Sequence, residues 1–106
     1  MNAKAVIPRE LASRDVDEAI DHYLGEGAAK AALDFVEALE KAYTHIGRQS
    51  ASGSARTAHE LNLPGLRFWP LTRFPHLVFY FERDDCVEVW RVLHGQRDIP
   101  AGMNEP

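Results

Sequence analysis

A single cysteine, Cys86, is all the thiol this 106-residue chain carries, so no internal disulfide can form and a reduced, cytoplasmic setting is expected. No apolar run approaches the ~18 residues that a membrane helix needs. The opening MNAKAVIPREL lacks the apolar core of roughly 7–15 residues that marks a secretory signal. No charge of one sign dominates. The net charge of −4 argues against a nucleic-acid binder, and no direct sequence-specific nucleic-acid contact is expected. There is no Gly-rich phosphate loop, no CxxC, no HExxH and no nucleophile elbow. The five histidines, at 22, 45, 59, 76 and 94, show no i, i+4 pair and no cysteine at zinc spacing. Neither a metal nor a cofactor is expected. Ser50, Ser52 and Ser54 share a loop-like stretch with no activating base beside them. No internal repeat or low-complexity tract is present.

What is there is an ordinary globular composition, 45% hydrophobic and 26% charged, in a chain of single-domain size. One domain over 1–106 is expected, large enough to bury a core unaided. Charge is split along it. Residues 1–47 carry five basic and nine acidic groups, and residues 48–97 carry seven basic and five acidic. Such a split bears on partners and not on fold.

Residues 4–7 (KAVI) lean toward a strand that Pro8 ends, or Pro8 opens the next element. Ala12, Val16, Ala19, Ile20, Tyr23 and Leu24 recur at helical spacing, with Asp15, Asp17, Glu18 and Asp21 on the other face. Pro8 at the first helical position and Ser13 as a cap are alternative starts. Gly25-Glu26-Gly27 breaks the pattern. From Ala28 to about Arg48, Ala32, Phe35, Val36, Leu39, Ala42, Tyr43 and Ile46 form one apolar stripe. Two helices so closely joined make an antiparallel hairpin that needs a further surface to cover.

Residues 49–58 (QSASGSARTA) read as a flexible loop. Strand patterns follow at 66–71, 77–81 and 87–93, with a polar hairpin loop at 82–86 and a two-proline turn at 70–76. The tail, 98–106 and chiefly about 100–106, is expected to fray. The order is β-α-α-β-β-β, an α+β fold of two layers. The hairpin packs on an antiparallel sheet that the first strand can join, and the far sheet face stays partly open.

Strict alternation places Arg91 with Val87, Val89 and Leu93 on one face, and Trp90 with His94 on the other. A strand arginine needs water or a carboxylate. The ordinary account pairs Arg91 with Glu82 or Glu88, leaves Trp90 in the core and has Arg97 tie down the C-terminus. The alternative is that Arg67, Arg73, Arg91, His94 and Arg97 gather at one end of the sheet as an interaction surface.

Several stretches together carry a family resemblance. They are RDVDEAI at 14–20, Tyr23, the alanine-rich second helix, LPGLR at 63–67, the aromatic strand at 77–81 and VWRVLHGQRD at 89–98. Gly65 and Arg67 match a Gly-x-Arg pattern, Tyr80 a strand tyrosine, and His94 and Arg97 a His-x-x-Arg ending. On these the chain resembles the ParE branch of the RelE/ParE superfamily of bacterial toxins, from about residue 5 to 99. The resemblance implies the RelE/ParE-like two-layer fold and a toxin of a type II toxin–antitoxin system, with growth inhibition and plasmid stabilisation as its outcomes. The RelE branch cleaves mRNA on the ribosome. The ParE branch inhibits DNA gyrase by stabilising its broken-DNA complex. RelE-like RNases use several lysines and arginines and a tyrosine past the last strand. This chain has no lysine after Lys41 and reads Asp-Ile-Pro-Ala after Arg97.

The resemblance therefore implies a gyrase inhibitor without catalytic residues, neutralised by a ParD-like ribbon-helix-helix antitoxin in a hetero-oligomer. The gyrase contact is assigned to Arg67, Arg73, Arg91, His94 and Arg97. The antitoxin contact, burying over ~1,500 Å², is assigned to Trp69, Arg73 and Phe74, with Tyr23, Phe35 and Leu39 kept for the core. Two alternatives stand. One is a ribosome-dependent RNase using His94, Arg67 and Glu60. The other is a non-toxic member of the fold that only binds antitoxin.

Overall fold

The computed structural model of the chain describes residues 3–95. Strand β1 (Ala5–Pro8) precedes helices α1 (Glu10–Gly25) and α2 (Ala29–Arg48). A 3₁₀ turn (Ser50–Ser52) and the short helix α3 (Arg56–Glu60) lead to strands β2 (Leu66–Pro70), β3 (His76–Glu82) and β4 (Cys86–His94). The sheet order is β1-β4-β3-β2. The three late strands form the expected antiparallel meander, and β1 joins β4 in parallel. Arg97 and the tail lie outside the described residues.

Neither expected start of α1 is used. Pro8 stays in β1, and the Arg9 N–H donates to the Val89 carbonyl at 2.9 Å. The sheet therefore holds the chain until the residue before the helix. Ala12 is fully buried, with Val16, Ala19, Ile20 and Tyr23 packed against the same core. Leu24 is 51% exposed, at the turn that joins the two helices. On α2, Ala32, Phe35, Leu39, Ala42 and Ile46 of the expected stripe are buried, as is Gly47, while Val36 and Tyr43 are half-buried at its margins. Gly47 is needed for close approach: a Cβ there would stand 2.9 Å from the Lys4 carbonyl.

The hairpin covers one sheet face through Leu71, Val78, Tyr80, Val87, Val89 and Val92. The other face is covered over β2 and its neighbours and stays partly open toward β1, where Ile7 is 51% exposed. Leu66, Phe68, Phe79, Phe81 and Leu93 form a second cluster there, covered by Ala58 and Leu61 of the α3 region and by Leu63. Strict alternation along β4 fails at a bulge. Phe79 pairs with Arg91 and Tyr80 with Val89, so Trp90 is an extra residue in the ladder. The inserted residue reverses the parity beyond it. Val89 and Val92 both face the hairpin, while Trp90 and Leu93 face the second cluster.

One core side chain is poorly matched to its place. The Tyr43 hydroxyl is buried and has no hydrogen-bond partner among the described residues. Burial, and then the charge of Asp15, push its pKa up to about 12. Tyr43→Phe is expected to be as stable as the parent or up to ~1 kcal/mol more stable near neutrality, since the desolvation cost of an unmade bond disappears. An acid whose folded pKa exceeds its unfolded value loses stability as pH rises from the unfolded value to the folded one. The parent should therefore lose about 2–3 kcal/mol between roughly pH 10 and 12 that Tyr43→Phe keeps. Urea unfolding at stepped pH measures this; an unchanged alkaline slope in the variant refutes it.

Candidate functional site

Residues 49–58 are fixed in place by side chains from the sheet. Tyr80 is fully buried in β3. Its hydroxyl donates to the Ser50 carbonyl at 2.7 Å and accepts from the Gly53 N–H at 3.0 Å. Arg67 Nη1 donates to the Gly53 carbonyl at 2.9 Å. Ser54 and Phe68 exchange backbone hydrogen bonds at 2.9 Å, which extends β2 by one bridge. His45 stacks on Trp69 with ring centroids 3.9 Å apart and shares a hydrogen bond with Ser52. The Ser50 hydroxyl donates to the Glu82 carboxylate, where Lys4 Nζ also donates at 3.1 Å. The Ser50 bond first, and Lys4 second, hold the Glu82 carboxyl below the usual carboxylate range. A stretch rich in small polar residues is thus ordered by partners far away in sequence.

Arg91 does not use Glu82 or Glu88. It grips Asp15 of α1 with two bonds, Nε to Oδ2 at 2.8 Å and Nη2 to Oδ1 at 2.9 Å. The Val92 N–H donates to the same carboxylate at 3.0 Å. The parallel partner β1 ends opposite Val89, so Asp15 takes over beyond it along β4. The side chains are only 10% and 13% exposed, which makes this an internal clamp between helix and sheet.

The end of the sheet away from the 82–86 loop has a different character. Leu71 N–H donates to the His76 carbonyl at 3.0 Å, and Gly95 N–H to the Pro75 carbonyl at 2.7 Å, so the 71–75 turn is closed from both sides. Phe74 inserts its ring edge-on against Tyr23 and Phe35, centroids 5.7 and 5.4 Å away. His94 pairs with His76 in the ladder, their rings 5.7 Å apart. The two line a cleft of about 320 Å³ with Glu18, His22 and Tyr23 of α1. A second groove of about 390 Å³ runs between α2 and the turn, with Ala31, Ala38 and Phe74 in its lining and Arg73 at its edge.

The five arginine and histidine candidates are therefore not one cluster. Arg73 and His94 share the 71–75 end of the sheet. The Arg67 guanidinium is turned to Gly53 and that of Arg91 to Asp15, while Arg97 lies outside the described residues. Of the antitoxin candidates, Trp69 and Phe74 are half-buried and engaged with His45, Tyr23 and Phe35, and Arg73 is exposed. Glu60 is exposed on α3, whose layer covers the sheet face opposite the hairpin, whereas His94 lies in the cleft against α1. His94, Arg67 and Glu60 consequently share no cleft among the described residues. No three His, Cys, Asp or Glu side chains there are grouped to hold a metal. No helix there is long and apolar enough to cross a membrane. Sequence reasoning missed Leu33, 71% exposed on α2, and the aromatic lining of the 71–75 turn.

With this geometry in place, the chain can be set beside known proteins. A family model described as ParE toxin of type II toxin–antitoxin system, parDE, matches residues 6–99. A solved structure described as the chromosomal ParDE TA system from P. aeruginosa has a similar fold, with a TM-score of 0.72. It is 20% identical in sequence, and the match covers 87% of this chain and 96% of that one. No curated protein matches the sequence.

Proposed function

Because the chain belongs to the ParE toxin family of type II toxin–antitoxin systems, we propose that it acts by binding DNA gyrase and trapping the broken-DNA complex, and that a ParD-like antitoxin neutralises it in the cytoplasm. The observation that most favours a binding mode over RNA cleavage is the separation of His94, Arg67 and Glu60. Cleavage of RNA needs a base for the 2′-hydroxyl, an acid for the leaving oxygen and a cation on the phosphate, all within hydrogen-bond reach of one site. Arg67 is committed to the Gly53 carbonyl, and Glu60 and His94 belong to opposite layers.

For the gyrase contact, Arg73 is the exposed candidate among the described residues, and His94 shares its end of the sheet. Arg97, outside the described residues, is kept as a candidate for its place in the His-x-x-Arg match. Arg91 would act by holding α1 against this end of the sheet, and Arg67 by holding the 49–58 segment. Purified protein is expected to block gyrase supercoiling and to raise the yield of cleaved DNA. Arg97→Ala is expected to lose at least ~10-fold in inhibition with an unchanged unfolding temperature, as interface arginines do. Cuts in translated mRNA on induction, with gyrase unaffected, would overturn the reading in favour of the RNase.

A further inference from the structure

Arg73 has a backbone conformation that its side chain does not explain. Its φ is +70°, in the left-handed region that costs an L-residue roughly 1–2 kcal/mol and that glycine occupies without penalty. The side chain is exposed, and it makes no hydrogen bond or ion pair among the described residues. The turn is nevertheless rigid, because Phe74 is locked between Tyr23 and Phe35 and both ends of the turn are hydrogen-bonded. An arginine thus stands where glycine would fold better, on a platform that cannot move away.

The charged side chains lining the groove below it are unevenly paired. Asp34 is paired with Lys30 and Glu37 with Lys41, each at 3.3 Å and each one helical turn apart. The acids that α2 contributes are already compensated by α2 itself. Arg73 is left as the charged lining residue without an ion-pair partner among the described residues, above a floor of Ala31, Ala38 and Phe74 edged by Asp34, Glu37, Lys41 and Thr72. Small apolar side chains between a helix and a turn suit the apolar stripe of an incoming helix. An uncompensated guanidinium at the edge suits a carboxylate on that helix.

We infer that Arg73 is a preorganised affinity anchor for the antitoxin, receiving a carboxylate from an amphipathic helix laid in the groove between α2 and the 71–75 turn. This rests on the toxin–antitoxin reading and assigns the antitoxin's place on the fold. Occupying the groove would also cover Arg73 against any other partner, which is a direct means of neutralisation.

The anchor trades stability for binding, and that separates it from a structural arginine. The test uses the full chain and the protein encoded beside it in the same operon, with Arg73→Gly and Arg73→Asn. Both replacements tolerate a left-handed backbone, and asparagine does so without glycine's flexibility. Both variants are expected to unfold at the parent's temperature or a few degrees higher. Both are expected to bind the partner at least ~10-fold more weakly, with a shallower salt dependence. Parent-like affinity in either variant overturns the inference and leaves the toxin–antitoxin reading intact. Weaker binding together with a lowered unfolding temperature also overturns it, by making Arg73 structural. A partner that fails to bind the parent chain overturns the toxin–antitoxin reading, and the anchor with it.

Discussion

Arg91→Ala is expected to lower the unfolding free energy by about 3–5 kcal/mol, the cost of leaving one member of a buried ion pair alone. Domains of this kind are stabilised by only about 5–15 kcal/mol, so a third or more of the total is at stake. The size follows from the geometry. Asp15 receives both guanidinium bonds at 2.8 and 2.9 Å, and the Val92 N–H at 3.0 Å. In the variant a carboxylate that is nine-tenths covered keeps one neutral donor and loses two charged ones. Asp15→Ala should also be destabilising, since it takes both carboxylate bonds from the guanidinium and the acceptor from the Val92 N–H. The double variant should be much more stable than the sum of the two losses, because neither charge is then left uncompensated. Equilibrium unfolding in urea measures all three. A loss under ~1 kcal/mol for Arg91→Ala would show that the clamp behaves as an exposed pair. Any loss of toxicity in Arg91 variants must therefore be read beside their stability.

Gly53→Ala is expected to cost about 2–4 kcal/mol, although the backbone there would accept any residue. The Gly53 φ is −67°, an ordinary value. The demand for glycine is one of space. A Cβ would stand 2.3 Å from the Tyr80 hydroxyl and 2.9 Å from the Phe68 carbonyl. Neither neighbour can retreat, because Tyr80 is fully buried and the Phe68 carbonyl accepts the Ser54 N–H. Overpacking accounts for ~1–3 kcal/mol, and loss of the Tyr80–Gly53 bond for about 1 more. Tyr80→Phe should cost about 1–3 kcal/mol by orphaning the Ser50 carbonyl and the Gly53 N–H. The two changes should not add, since both release the same segment. Gly25→Ala, with nothing within 4 Å of its Cβ, is the control and should be close to neutral. Limited proteolysis gives a second readout: cleavage within 49–58 should be slow in the parent and fast in Gly53→Ala. Fast cleavage of the parent would mean that the segment is the free loop its composition suggests.

Proteolysis tests the point at which composition misleads. A run of serine, glycine and alanine has no periodicity, so it reads as a loop. Its order comes from Tyr80 and Arg67, which follow it in the chain and reach it only after the meander has formed. The same holds at β4. Alternation along 87–93 correctly identifies a strand, but a one-residue bulge at Trp90 moves Leu93 to the opposite face and puts Val92 beside Val89. No local pattern marks that insertion; it is fixed by how β3 and β4 match in register.

The candidate site divides in the same way. Its arginines and His94 are legible as residue types on late strands, and their spacing carries the family resemblance. Which of them face a partner is not legible. Arg91 finds Asp15 across 76 residues of sequence, and Arg67 finds a backbone carbonyl. The segment PLTRFPH signals a turn, yet nothing in it singles out Arg73 as the residue that takes a positive φ.

The sequence by itself determined the helical hairpin, the three late strands, their order and the family to which they belong. Each of these is written in short-range periodicity and in motifs a few residues long, where neighbouring side chains share one element. Tertiary structure alone decided the parallel pairing of β1, the partial covering of the second sheet face by α3, the Asp15–Arg91 clamp and the exposure of Arg73. Those depend on which distant groups meet once the layers pack, and on the space and charge left over when they do.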